Sequence, residues 1–232
     1  MKSQILGTAC ALVIGASSIV ASGPAKAVTV YSHLPTAQSS FISHHIAGGP
    51  VLADDFTPTT TGAVTSVTWW GSAAASDQWE ITFHTDNSGV PNIDDPVEGG
   101  LVQHVPVTAT GLDNGRGWFQ YTATWSPMDL ILTGGNTYWF SVANFSNNWT
   151  WALAQAGGPF IGSEQYDAVE STGAVCTNGG PHCGPWTSLT GVDFAFLIDS
   201  DTTIIPIPGA VWLFGSGILG LIGIARRKKA IK

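Results

Sequence analysis

The chain has 232 residues, with 8 Lys and Arg against 16 Asp and Glu, for a formal charge of −8 at pH 7. Ten tryptophans and a 44% hydrophobic content supply enough apolar surface to bury, which excludes a disordered polyelectrolyte. The acidic balance makes nucleic acid and anionic lipid poor partners.

The chain opens with Lys2, an apolar run from Ile5 to Val20, and the small-residue site Ala25-Lys26-Ala27. These are the three parts of a secretory leader cut after Ala27. Cys10 lies inside the apolar run rather than just beyond it, so it is expected to leave with the leader.

The stretch from Val28 to about Thr203 is the size of one domain with a proper core. All 16 acids fall in it against the single base Arg116, a formal charge of −15 with no lysine. Alternating apolar and polar residues predict half-buried strands at Val64–Trp70, Trp79–His84, Trp118–Trp125, Thr137–Val142 and Val192–Ile198. Asp86-Asn87-Ser88-Gly89, Asn114-Gly115, Gly134-Gly135-Asn136 and Asn178-Gly179-Gly180 supply turn chemistry between them. The expected fold is all-β, an antiparallel two-sheet sandwich or jelly roll.

Catalytic signatures are few. No Gly-x-Ser-x-Gly elbow and no His-Glu-x-x-His occur, and without an ectodomain lysine a phosphate-binding loop is ruled out. Glycoside hydrolysis needs two carboxyls facing each other across the scissile bond. Asp54-Asp55 and Asp94-Asp95 do not supply that alone, because successive strand residues point to opposite faces.

Glycan binding asks instead for aromatic faces and neutral hydrogen-bonding groups. Trp149 and Trp151 share a face if extended, and Trp186 is the third candidate. Trp79, Trp118 and Trp139 are assigned to the core. Acidic turns suit calcium, a hard cation taking oxygen ligands, and Asp54, Asp55, Asp86 and Asn87 are the candidate ligands, against the plain reading of solvated acidic turns. Cys176 and Cys183 enclose a short loop, and an exported chain would close them into a disulfide. As a metal site that pair, even with His182, lacks a fourth ligand.

Past Ile204 the chain turns apolar, and residues 210–225 form an uncharged run followed at once by Arg226, Arg227, Lys228 and Lys229. Together with the residues from Ile204 this is long enough for one transmembrane helix, and the basic stop places its end in the cytoplasm. The order Pro206-Ile207-Pro208-Gly209, the apolar helix and the basic stop resembles the PEP-CTERM sorting tail, with Ile207 where that family's motif has Glu. The resemblance implies a Gram-negative bacterium that makes extracellular polysaccharide, and an exosortase-type membrane protease cutting near Pro206 to Gly209. Ala53-Asp54-Asp55-Phe56, the Phe83–Pro91 hairpin and Leu132–Trp139 are loosely similar to β-sandwich modules found ahead of such tails, which in turn look like carbohydrate-binding domains.

The expected organisation is therefore a signal peptide at residues 1–27, an ectodomain at 28–203 and a sorting tail at 204–232. The expected function is a non-enzymatic protein of the cell surface or extracellular matrix, passing through an inner-membrane intermediate and associated with extracellular polysaccharide. It needs no cofactor, with calcium as the one candidate ion. The alternatives are a structural surface protein that binds no glycan, and a secreted glycoside hydrolase.

Overall fold

The computed structural model describes residues 27–44, 50–112, 117–124, 130–146, 148–155, 160–171 and 185–201. Every element among them is a β-strand: β1 (Ala27–His33), β2 (Pro35–Ile42), β3 (Val51–Phe56), β4 (Gly62–Gly71), β5 (Gln78–Asp86), β6 (Pro91–Pro106), β7 (Ala109–Leu112), β8 (Phe119–Thr124), β9 (Ile131–Leu132), β10 (Tyr138–Asn144), β11 (Thr150–Ala154), β12 (Phe160–Ile161), β13 (Val169–Ser171), β14 (Trp186–Ser188) and β15 (Phe196–Asp201). They form two antiparallel sheets. One has the order β12-β1-β15-β4-β11-β2, with β7, β8 and β9 attached through β4; the other runs β14-β13-β3-β10-β5-β6. The expected all-β sandwich is what the chain adopts. No helix among the described residues is long and apolar enough to cross a membrane. The expected leader up to Lys26, with Ala25, lies outside the described residues, its last residue Ala27 opening β1; the tail with Pro206, Ile207, Pro208, Gly209 and Arg226 to Lys229 lies outside them too, as do Cys176 and Cys183.

The two sheets close on one large aromatic core. Trp69 meets Trp79 edge to face at 5.2 Å, Trp79 meets Trp149 at 4.8 Å, and Trp151 stacks on Phe194 at 4.7 Å. Such pairs add specific geometry to the hydrophobic gain of burial. In β4 a strict period of two would send Val64 and Val67 to opposite faces. Thr65 is the extra residue of a bulge, since Ser66 pairs with Asp199 and Val64 with Ser200. That slip returns Val64, Val67 and Trp69 to the core together.

Strands β3 and β10 are buried on both faces. Their inward residues Leu52, Phe56, Phe140 and Val142 join the main core. Ala53 and Trp139 on the outer face pack with Val169, covered by Tyr166 and Trp186. The strand predicted over Val192–Ile198 begins only at Phe196. Phe194 makes a single bridge to Leu153, and Asp193 lies in the loop ahead of the strand, where it lines a cleft.

Candidate functional site

Two adjacent carboxylates organise the most polar part of the sandwich. Asp54 and Asp55 in β3 are fully buried and point to opposite faces of their strand. On one side, Asp54 Oδ2 accepts the Phe194 amide at 2.6 Å, fixing the loop that carries Asp193. On the other, Asp55 accepts the amides of Gln165 at 2.8 Å and Tyr166 at 3.1 Å, fixing the loop that carries Glu164.

Glycine completes the second loop. Gly162 has φ of 95°, and a Cβ there would lie 2.8 Å from the Thr57 carbonyl and 2.9 Å from the Tyr31 ring. Only a residue without a side chain lets the backbone pass that closely. Ser163 then bridges to Thr57, the amide of each donating to the carbonyl of the other, at 2.8 and 3.2 Å.

The two loops present Glu164 and Asp193 to His33, at the end of β1. Tyr31, two residues earlier, donates its hydroxyl to Glu164 Oε1. His33 Nδ1 stands 2.9 Å from the same oxygen, and its Nε2 stands 3.2 Å from the Gln155 carbonyl. One ligating atom from each of His33, Glu164 and Asp193 can be chosen so that all lie within 4.8 Å of one another. Glu164 and Asp193 border an open cleft of about 550 Å³ lined also by Ser88, Gln165, Asp167 and Ser188. The β5–β6 hairpin tip, the β12–β13 loop and the β14–β15 region thus meet at one place.

The electrostatics are one-sided. The described residues contain neither lysine nor arginine, so His33 is the only base among these acids. Burial first, and then the charge of Glu164, hold the Asp54 carboxyl well above the usual range. Burial also lifts Asp55 to about 7, although two backbone amides pull it down. Asp193 rises to about 6 through burial and the neighbouring Glu164. Burial works against a charged His33, but the hydrogen bond and charge of Glu164 outweigh it and raise the imidazole's pKa. These shifts all say that the cluster is short of positive charge.

No protein family, curated protein or solved structure matches the chain.

Several expectations need correction. Trp149 and Trp151 do share a face, but it is the inner one: both are fully buried and belong to the main core. Their rings are spent on Trp79 and on Phe194, so neither can stack on a sugar. Trp186 is half-buried and packs over Ala53, Trp139 and Val169 beside Tyr166. It reaches the surface two residues from the cleft-lining Ser188. Trp79 and Trp139 are core, as expected, whereas Trp118 is half-buried on an outer face, donating to the Thr36 carbonyl at 2.6 Å.

The expected calcium ligands are also employed elsewhere. Asp54 and Asp55 bind backbone amides. Asp86 Oδ1 accepts the Gly89 amide at 3.0 Å and the Trp139 indole at 2.9 Å, closing the hairpin turn in which Asn87 is exposed. They do not form a ligand group; among the described residues that group is His33, Glu164 and Asp193. Sequence reasoning missed all three, which lie 131 and 29 residues apart in the chain. The one signal available was Asp54-Asp55 itself, since a strand with two consecutive acids and no nearby base must spend them on something.

Proposed function

We propose that this is an exported, non-enzymatic β-sandwich of the cell surface or extracellular matrix, carried there by a PEP-CTERM-like tail, with the acidic cleft as its contact with extracellular polysaccharide. The single observation that carries the contact is the make-up of the cleft. Ser88, Gln165, Asp167 and Ser188 line an open, polar space, and hydroxyl, amide and carboxylate groups without lysine or arginine suit the hydroxyls of a neutral sugar. Tyr166 in its lining supplies the apolar component. Support for the sorting comes from the residues of the tail, and the exosortase-type protease is proposed to cut between Pro206 and Gly209.

A hydrolase is the second reading, favoured by the convergence of Glu164 and Asp193 on one cleft. Against it, oxygens of the two carboxylates come within 4.8 Å of each other and of the His33 ring. That is short of the roughly 6.5 Å that begins the inverting range, and the His33 ring is engaged by Glu164 rather than left free beside it.

The test is fractionation of the producing cells, with intact mass of the surface form and an assay of its action on the isolated polysaccharide. The expected form begins at Val28, ends between Pro206 and Gly209, sediments with the polysaccharide and releases no reducing sugar. A cytoplasmic full-length protein would contradict the sorting. Reducing-sugar release abolished by Glu164→Gln would contradict the non-enzymatic reading.

A further inference from the structure

The arrangement around His33 offers a place for a positive ion. With Nε2 donating to the Gln155 carbonyl at 3.2 Å, a neutral imidazole turns the lone pair of Nδ1 toward Glu164 Oε1, 2.9 Å away. Two acceptors at that distance repel unless a positive charge lies between or beside them, either a proton on Nδ1, which makes the pair an ion pair, or a metal ion in its place. A ligating histidine typically shows this pattern, giving its other ring nitrogen to a backbone carbonyl that fixes tautomer and orientation. Tyr31 orients Glu164 in the same way by donating to Oε1, which leaves Oε2 for a ligand. The Asp193 carboxylate lines the cleft, and no hydrogen-bond donor reaches it among the described residues. The side chains of His33 and Glu164 are only 9% and 15% exposed, so the pair is held in place rather than swaying in solvent.

We propose that His33, Glu164 and Asp193 bind a divalent transition-metal ion of the zinc or manganese type, with a coordination position open to the cleft. One imidazole nitrogen and two carboxylates within 4.8 Å of one another match the donor set and span of such ions. Calcium prefers an all-oxygen shell of six to eight ligands, which a set containing His33 does not provide. The site needs neither export nor polysaccharide to exist, so its test is separate from that of the function above.

The experiment titrates the untagged full chain in detergent, after chelator treatment, with zinc, manganese and calcium chlorides at pH 7.5. Heat release and thermal unfolding are both followed. Zinc or manganese is expected to bind one equivalent and to raise Tm by roughly 3 °C or more at saturation. Asp193→Asn and Glu164→Gln are expected to weaken binding at least tenfold. Asp199→Asn, at a β15 carboxylate already bonded to Thr29 and Ser66 and outside the ligand group, leaves it unchanged and controls for charge. The Asp193 carboxylate has no hydrogen bond to lose, and its carbonyl keeps the Ala154 amide, so its variant keeps the fold even if Glu164→Gln does not. Absence of zinc and manganese binding by the folded wild type would overturn the proposal. So would binding by calcium alone, or zinc binding undiminished in Asp193→Asn.

Discussion

At the scale of single residues, Asp54 and Asp55 show how a buried carboxyl can be an organiser rather than a ligand. Each holds a loop by accepting main-chain amides, and each prefers to keep its proton in the folded state. A carboxyl whose pKa is raised by folding stabilises the native state below its unfolded pKa, and that stability is lost as pH rises through the folded pKa. For Asp55 the window runs from about 4 to about 7, and for Asp193 from about 4 to about 6. The raised pKa of His33 acts in the same direction at the upper end. In chelator, Tm is therefore expected to fall steadily from pH 5 to pH 8; a Tm that rose over that range would contradict the assignment. Asp54→Ala leaves the buried Phe194 amide without a partner, and urea unfolding is expected to show a loss of about 2 kcal/mol. Asp54→Asn, which retains a carbonyl acceptor, should cost less than half as much.

At the scale of elements, the join between β4 and β11 depends on one glycine. Trp151 pairs with Gly71, where a Cβ would fall 2.3 Å from the Thr150 carbonyl and 2.5 Å from the Trp149 ring. Gly71→Ala must push one of them aside, and a loss of about 1 to 3 kcal/mol is expected in chemical denaturation. An unchanged midpoint would mean that the contact is not as close as described. The pattern of β4, β5 and β10 was readable from alternation alone, because each carries large apolar residues at a nearly regular spacing of two. The turn at Asp86 to Gly89 was readable from its residue types. The β4 bulge at Thr65 was not, since it is set by pairing with β15 more than 130 residues later. Nor could alternation say which face of β11 is inward. Trp149 and Trp151 were placed together correctly and on the wrong side, because a sandwich strand offers two faces and only the partner sheet decides between them. The cleft was illegible for the same reason: His33, Glu164 and Asp193 come from separate elements and share no motif.

At the scale of the whole molecule, the first and last described strands are neighbours. Ala27 pairs with Asp201 and His33 with Phe196, and β15 lies between β1 and β4 in the interior of its sheet. Removing β15 would open the sheet at its centre and strip Phe196 and Ile198 from the core. A chain ending at residue 195 is therefore expected not to fold, whereas one ending at residue 203 should unfold cooperatively; circular dichroism melting of the two distinguishes them. The proposed leader and sorting tail would accordingly leave the sandwich side by side.

The most direct test of the proposed function is calorimetric titration of the untagged full chain with the host's isolated exopolysaccharide, comparing wild type with the exposed cleft variants Gln165→Ala and Ser188→Ala. Ile131→Ser, at a 60% exposed residue on β9, serves as a control away from the cleft. Saturable binding, weakened at least fivefold when both cleft side chains are removed and unchanged in the control, is the predicted result. No binding by folded wild type, or binding indifferent to the cleft variants, would contradict the cleft as the polysaccharide contact.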